Sequence, residues 1–468
     1  MPIARGAPKD VPMSVSPLPR TPVVAPSPPP RFVTGSIARH ILVMTGTGAV
    51  GLMAIFVSDF ATLFFLGLLG DLQLLAAIGY AGAIMFFMFS AGLGMAIAVA
   101  SLVSPALGAG DFARARRLST HAAVFTAGGM TLMVAALWPM LPILLAWFGA
   151  NGRSLALASD YLRIVLPSLP ALALAMASSA VLRSAGDPRR SMYVTLTGAI
   201  VASILDATLI YGLSLGVHGA AIAAFVSHVS MLAVGLWAVA NVHGLLARPE
   251  WRLFEYDAVL IARFAIPAVL ANVATPAGSA YVTVAMSQFS DSAVAGWAVI
   301  GRIIPIAFGA IFALSGTIGP IIGQNVGARQ FDRVRSALYG GLAFAASFTV
   351  LAWLALSIGA SGLVLLFNAR GEAAELIVFF CRRLAPLFVF FGTLFVCNAA
   401  CNTLGRPHYA TALNWGRATL GTIPFVALGA HWGAKGVLVG HMVGGIAFGI
   451  VAILVVYRLI VHLERDLH

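Results

Sequence analysis

Charged side chains are scarce in this chain of 468 residues. Asp, Glu, Lys and Arg together make up 9% of it, whereas hydrophobic residues make up 60%. So few polar groups cannot cover the surface of a water-soluble protein of this length. The composition therefore excludes a soluble globular protein and indicates an integral membrane protein.

Cysteine and recognisable reaction motifs are also scarce. The three cysteines, Cys381, Cys397 and Cys401, fall on one predicted membrane helix, which favours small packing residues over a disulfide framework. The sequence contains no metal-spaced pair of histidines and no phosphate-binding loop. We therefore expect neither an enzyme nor a metal or other cofactor, and a nucleotide-binding domain has no room in the chain.

Long apolar runs account for most of the sequence. Each is continuous and about 20 residues or more in length, as a membrane-spanning helix requires, and does not alternate as in a barrel strand. The sequence thus predicts an all-α polytopic membrane protein with twelve transmembrane helices, at 41–69, 72–104, 119–148, 155–183, 190–213, 217–242, 258–289, 291–323, 336–367, 372–404, 408–431 and 435–460.

The second half of the chain repeats the first. Residues 107–116 (LGAGDFARAR) return as 326–335 (VGARQFDRVR), with five identities at a shift of 219 residues. The same shift relates Arg163 to Arg382 and Gly186 to Gly405. Six predicted helices separate each motif from its copy, so both copies face the same side. Two parallel six-helix bundles are an architecture typical of transporters that alternate access between two lobes.

The basic residues predict the orientation in the membrane. Twenty Lys and Arg lie in the two terminal segments and in every second loop, whereas the opposite loops hold three. By the positive-inside rule, both termini are expected in the cytoplasm of a cell whose inner (plasma) membrane the chain crosses many times. Because the positive charge is spread over short loops, we expect no nucleic-acid partner.

Four segments follow from these features. Residues 1–36 hold ten of the 24 prolines and predict a disordered, Pro-rich cytoplasmic tail. An N-terminal six-helix lobe is expected at 37–242 and a polar cytoplasmic linker at 243–257. The remaining residues, 258–468, form the C-terminal six-helix lobe with a short cytoplasmic tail.

Two acidic residues lie well inside predicted helices. Asp59 and Asp206 are each within about ten residues of an outer helix end, so they stand at similar depth. A carboxylate at such depth is costly and usually marks a water-filled cavity or a proton site. The repeat equivalents, Gly278 and the stretch 423–425, are not acidic. Only the first lobe is therefore expected to carry the acids.

Three other charged residues need separate interpretations. Asp160 precedes Arg163 by three residues near an outer helix end, which favours a local ion pair. Arg302 and Arg417 lie deeper in predicted helices, and the sequence offers no partner for either.

Several motifs resemble those of the multidrug and toxic compound extrusion (MATE) transporters over about residues 37–460. They are VSPALGAGD at 103–111, LRSAGDP at 182–188, LDATLIYG at 205–212, GVHGAA at 216–221 and IGQNVGA at 322–328. The resemblance implies a V-shaped pair of six-helix bundles that exports amphipathic, often cationic small molecules against protons or sodium ions. It also implies that Asp59 and Asp206 line a cavity in the N-terminal lobe. The accompanying cavity residues would be Ser58, Thr62, Ser179, Ala202, Ser203 and Ala224.

The chain departs from the family pattern at two of these positions. Sodium-binding relatives tend to carry Asn and Thr where this chain has Ala202 and Ala224, and sodium ions need several oxygen ligands. The resemblance therefore favours protons as the coupling ion, with sodium as the alternative. In other family branches the second lobe holds the coupling acids, but 272–288 and 381–402 contain none. We expect Asp59 and Asp206 to take up a proton as one coupled unit.

Two further functions fit the same architecture. A flippase for lipid-linked oligosaccharides would need cavity cations to hold a pyrophosphate, whereas the predicted cavity carries acids. A membrane receptor or scaffold without transport activity would need no deep acids at all.

Overall fold

The computed structural model describes residues 30–69 and 71–465, and this part of the chain is helical without any strand. We number its membrane spans 1 to 12 in chain order. The ends that carry the repeated motifs, which the charge asymmetry predicts to be cytoplasmic, are called inner, and the opposite ends outer.

Ten helices within the described ranges are long and apolar enough to cross a membrane without interruption. These are spans 1 to 7, span 9, span 10 and span 12: Ile37–Leu68, Gln73–Gly108, Phe112–Trp147, Gly152–Ser184, Pro188–Gly212, Gly216–Val242, Trp251–Ser287, Phe331–Leu366, Gly371–Thr403 and Gly433–Arg465. The all-helical, two-lobe prediction is thus confirmed.

Spans 8 and 11 differ from the continuous helices that hydropathy predicts. Span 8 is a pair of helices, Asp291–Ala307 and Gly309–Gly327, bent by 53° at Phe308. Span 11 consists of Pro407–Ala418 and Ile423–Ala430, separated by a short turn, and unlike the other predicted spans it is not long and apolar enough to be a candidate membrane span. Pro305 and Pro424 supply the physical reason, because a proline ring removes a backbone donor and clashes with the preceding helical turn.

The two copies of the repeated motif touch each other where the lobes meet. A side chain added at Gly108 would place its Cβ 1.9 Å from the backbone oxygen of Gln324, and one at Gly327 would lie 2.0 Å from that of Pro105. Span 2 and span 8 therefore cross at backbone contact, each contributing the same glycine of its own repeat. Both copies of the motif need the glycine, because each glycine packs against the backbone of the other copy.

Hydrogen bonds between the lobes lie in their inner halves. Gln324 Nε2 donates to the Ser184 carbonyl at 2.7 Å, and Arg183 Nε donates to that of Gly316 at 3.1 Å. The hydroxyls of Thr45 and Thr317 are 3.2 Å apart. No hydrogen bond joins the outer halves of the lobes within residues 30–69 and 71–465. The hydrogen bonds that join the lobes are thus confined to the inner side.

A short segment before span 1 reinforces this inner contact. We call residues 31–36 the inner strap. Phe32 is 3% exposed, and its amide donates to Gln324 Oε1 at 2.8 Å. Arg333 Nη2 donates to the carbonyls of Phe32 and Thr34, at 2.8 and 3.2 Å, while Arg31 Nη1 donates to that of Gly186 at 3.0 Å. The strap therefore contacts both lobes.

The predicted domain boundaries shift slightly in the structure. The expected disordered tail, 1–36, lies outside the described residues up to position 29, but its last residues belong to the packed inner strap. The predicted linker, 243–257, is non-helical only up to Glu250, because span 7 begins at Trp251. Asp257 is 1% exposed and accepts hydrogen bonds from Arg117 Nε at 3.0 Å and His121 Nδ1 at 2.7 Å. These contacts fix the base of span 7 to span 3.

A second ion pair holds the linker against the loop before span 5. His243 Nε2 lies 3.0 Å from Asp187 Oδ2, and Arg190 Nη1 lies 2.5 Å from the same oxygen. Burial opposes ionisation of the Asp187 carboxyl, but the hydrogen bonds from His243 and Arg190 outweigh it and hold its pKa below the ordinary value. Asp187 is therefore a carboxylate at neutral pH and ties the two elements together.

The glycine contact gives a first prediction. Gly108→Ala should lower the melting temperature of the detergent-purified protein, because overpacking against a backbone oxygen costs about 1–3 kcal/mol. Differential scanning fluorimetry measures the change.

Gly128→Ala is its matched control. Gly128 also lies within a helix, yet a Cβ there meets nothing within 4 Å, so alanine should be neutral or slightly stabilising. Equal melting temperatures for the two variants would contradict the proposed backbone contact.

The inner strap gives a second prediction. Arg333→Ala should raise the deuterium exchange rate of the amides of residues 32–40 by about tenfold. The variant loses hydrogen bonds from a charged donor, which are each worth about 1.5–3 kcal/mol. Hydrogen–deuterium exchange with mass spectrometry measures this directly.

Arg335→Ala serves as its control, since Arg335 pairs with Asp332 and Glu464 of its own lobe. Unchanged exchange at 32–40 in Arg333→Ala would show that the strap does not depend on these hydrogen bonds.

Candidate functional site

Asp206 lies in span 5 at the start of a π-helical turn that runs to Gly212. Its side chain is buried, with 1% of the residue exposed, and it accepts a hydrogen bond from the Thr62 hydroxyl of span 1. π-Helical turns inside α-helices are frequent at functional sites, because they redirect a side chain within the membrane or the core. Here the turn presents a carboxylate to span 1.

Asp59 lies in span 1, three residues before Thr62. It is exposed, and it makes no hydrogen bond or ion pair with any other described residue. Thr62 lies about 60° from Asp59 around the helix and donates to Asp206 of span 5, so Asp59 lies on the side of span 1 that faces span 5. Its carboxylate and that of Asp206 are close enough to repel each other.

Tyr161 of span 4 completes this group, although sequence reasoning did not identify it. The residue is half-buried, and its phenol lies within range of the charges of both Asp59 and Asp206. It stands nine residues from the outer end of span 4, just as Asp59 stands nine residues from Leu68. Counting residues from the outer end of each predicted span would have placed Tyr161 at the same depth as Asp59. We call Asp59, Asp206, Thr62 and Tyr161 the acid cluster.

Ser58 and Ser203 lie beside the acid cluster. Ser58 is buried, and the hydroxyl of Ser203 donates to it at 3.4 Å. Ala202 and Ala224 are half-buried, and Ala224 packs against the apolar core of the N-terminal lobe. At these two positions the side chains offer carbon rather than oxygen.

Ser179 is not part of this arrangement. It is buried with its hydroxyl unpaired, and it lies five residues from the inner end of its helix, Leu169–Ser184. The acid cluster lies in the outer half of the lobe. The structure thus separates Ser179 from the acids by depth.

The remaining charges occupy simpler positions. Asp160 lies 4.0 Å from Arg163 and 3.9 Å from His218, so it belongs to a partly exposed ion-pair group, as the spacing predicts. Arg302 is exposed on span 8. Arg417 is buried inside the C-terminal lobe.

The loop between spans 5 and 6 matches a hydrolase motif by chance. Residues 212–216 read Gly-Leu-Ser-Leu-Gly, the Gly-x-Ser-x-Gly pattern that exposes a nucleophile at a sharp turn from strand to helix. Here the pattern joins two helices, and Ser214 has a φ of 55° at the outer surface. The geometry is not that of a nucleophile elbow.

Comparisons with known proteins agree with this architecture. The family model described as MatE matches residues 49–208 and 267–428 of the chain. An FAD transporter of Shewanella oneidensis is 28% identical over 430 residues, which cover 90% of this chain and 94% of that protein. The multidrug export protein MepA of Staphylococcus aureus is 22% identical over 419 residues, covering 88% of this chain and 91% of MepA.

Solved structures show the same fold. The Vibrio cholerae MATE transporter VcmN in its bent form has a TM-score of 0.85 at 24% identity, covering 91% of this chain and 97% of VcmN. A MOP superfamily transporter from Pyrococcus furiosus has a TM-score of 0.86 at 19% identity, covering 92% and 98%. Since the MatE model matches both halves of the duplicated chain, this protein belongs to the MatE family of MATE transporters.

Proposed function

We propose that this transporter exports amphipathic, often cationic small molecules in exchange for protons, with Asp59 and Asp206 as the coupling groups. The observation that carries the proposal is the pairing of an accessible carboxylate with a buried one inside the N-terminal lobe. In this proposal the inner ends and both termini lie in the cytoplasm, and the lobes separate on the outer side to discharge the exported compound.

Protonation of the acid cluster would couple the entry of protons to the export of the substrate. A cationic substrate is held while the cluster is negative. A proton that enters from the outer side neutralises part of this charge, weakens the hold on the cation and releases it outward. Reorientation of the lobes then delivers the proton to the cytoplasm. Exchange of one proton for one monovalent cation moves no net charge, so the pH gradient drives it. Each further proton that enters per cation adds roughly 2.3 kcal/mol at about 100 mV.

The Thr62 hydroxyl would link the proton to the helices. It bridges span 1 and span 5 by donating to Asp206, and it also donates to the Ser58 carbonyl at 3.1 Å. A protonated Asp206 accepts hydrogen bonds less strongly than a carboxylate does. Loss of negative charge would therefore loosen the tie between the two spans. That is the local change from which a rearrangement of span 1 can start.

Protons are favoured over sodium ions because few oxygen atoms that could bind sodium accompany the acids. Hydroxyls of Ser58, Thr62 and Ser203 accompany the carboxylates, but Ala202 and Ala224 contribute no oxygen. A sodium site would have to complete its shell from water.

Export of anionic compounds is the second candidate. The relative from Shewanella oneidensis is named an FAD transporter, and FAD carries a pyrophosphate. A transporter of such an anion, like a flippase for lipid-linked oligosaccharides, would need a cation in its cavity to hold the pyrophosphate. The acid cluster is negative and does not supply one.

The coupling assignment predicts the effect of removing either acid. In proteoliposomes with an imposed pH gradient, Asp59→Asn and Asp206→Asn should each reduce the export of ethidium at least about tenfold, because the coupling charge is lost. Fluorescence of ethidium and of an internal pH dye measures substrate and proton together.

Asp160→Asn is the matched control, since Asp160 lies at the same end of the lobe but in a partly exposed ion pair. It should export ethidium like the unaltered protein. An Asp59→Asn protein that inserts normally and still exchanges ethidium for protons would remove the assignment. Silence with ethidium combined with flipping of a lipid-linked oligosaccharide would support the flippase instead.

Coupling to protons rather than sodium predicts how export depends on each ion, and which substitutions would introduce a dependence on sodium. Replacing sodium by potassium should leave export by the unaltered protein unchanged, whereas a protonophore should abolish it. Ala202→Asn combined with Ala224→Thr adds two oxygen ligands near the acids and should introduce a dependence on sodium. Export that already requires sodium in the unaltered protein would contradict the proton assignment.

A further inference from the structure

Arg417 is a buried cation without an anionic partner. It lies in span 11 and is 4% exposed. Its Nη2 donates to the Thr275 hydroxyl at 3.2 Å, while its Nε has no hydrogen-bond partner. No carboxylate forms an ion pair with it in the described part of the chain. A guanidinium in this setting has lost water without receiving the counter-charge that usually compensates.

A second unsatisfied polar group lies beside it. His441 of span 12 is 7% exposed, and its Nδ1 has no hydrogen-bond partner. The two residues share one aromatic neighbour, Phe391 of span 10. The ring centre of Phe391 is 5.3 Å from the Arg417 Cζ and 5.7 Å from the His441 ring. Two polar side chains from different spans thus converge on the same place and leave hydrogen-bonding capacity unused.

The convergence is close to the protein surface. Thr275, which receives the hydrogen bond from Arg417, is exposed. The guanidinium is therefore one hydrogen bond away from an exposed polar side chain, although it is itself buried.

The duplication shows that these groups are particular to the second lobe. The shift of 217 residues that relates Gly219 to Gly436 places His441 on Ala224, and the shift of 219 places Arg417 on Gly198. Neither equivalent is polar, so the bundle packs without such groups in the first lobe. The deep charges of the described chain are thus acids in the first lobe and a buried cation in the second.

We propose that Arg417, His441 and Thr275 form an anion-accepting subsite that receives a carboxylate or phosphate group of the transported compound. The planar guanidinium presents paired donors that match the oxygens of either group. Phe391 and Trp297, both buried in contact with His441, keep water from these polar groups, and the low local dielectric strengthens their attraction for an anion. A zwitterionic compound would place its cation at the acid cluster and its anion here. This inference extends the export function proposed above.

Equilibrium binding to the detergent-purified full chain tests the subsite without any ion gradient. Tryptophan fluorescence or calorimetry would compare FMN with riboflavin, which lacks the phosphate, and norfloxacin with its methyl ester, which lacks the carboxylate. The unaltered protein should bind the anionic member of at least one pair about tenfold more tightly. The pair that discriminates tells whether phosphate or carboxylate is the natural group.

Arg417→Met should abolish that preference, so that the anionic and the neutral member of each pair bind equally. Arg302→Met is the matched control, because Arg302 is an exposed cation on span 8, and it should retain the preference. If Arg417→Met does not fold, Thr275→Val removes the neighbouring hydroxyl and should reduce the preference several-fold.

Two results would overturn the inference. One is equal binding of the anionic and neutral members of both pairs by the unaltered protein. The other is an undiminished preference in Arg417→Met, or in Thr275→Val where the former is unfolded. Failure of the coupling assignment is distinguishable, since it appears as proton-coupled export in Asp59→Asn and leaves these binding ratios untouched.

Discussion

Transfer of a charged side chain from water into a membrane protein is costly, and this cost organises the whole chain. Charge is confined to the helix ends and loops, with few exceptions. Asp59 and Asp206 persist inside the first lobe, and Arg417 inside the second. Asp206 receives a hydrogen bond from Thr62, and Arg417 donates one to Thr275, so each of the two buried charges is joined to a polar side chain.

The glycine contacts and hydrogen bonds between the lobes lie on the inner side. Gly108 and Gly327 bring spans 2 and 8 to backbone distance, where neither could carry a side chain. Hydrogen bonds from the Phe32 amide to Gln324 and from Arg333 to the strap carbonyls then join the crossing to the inner strap. Because each lobe contributes an equivalent glycine, the contact lies on the axis that relates the halves. A rocking motion about this axis would have to break these contacts before the inner side could open.

Much of this architecture is predictable from local sequence. The apolar runs are long enough to identify the spans, and the shift of 219 residues identifies the two lobes. Hydropathy does not report backbone geometry, so it missed the bend at Phe308 and the break in span 11, although Pro305 and Pro424 are visible beforehand. It also assigned Phe32 to a disordered tail, because a single aromatic residue among prolines carries no periodic signal.

The amino-acid sequence by itself determined the fold class, the duplication and the depth of the two acids, because each depends on hydrophobicity or position along a helix. The tertiary structure alone decided which side chains meet. Tyr161 joins the acids, Ser179 does not, and Arg417 converges with His441. Such meetings depend on how helices distant in sequence rotate and cross, and that geometry is set by packing between spans rather than by the composition of any one of them.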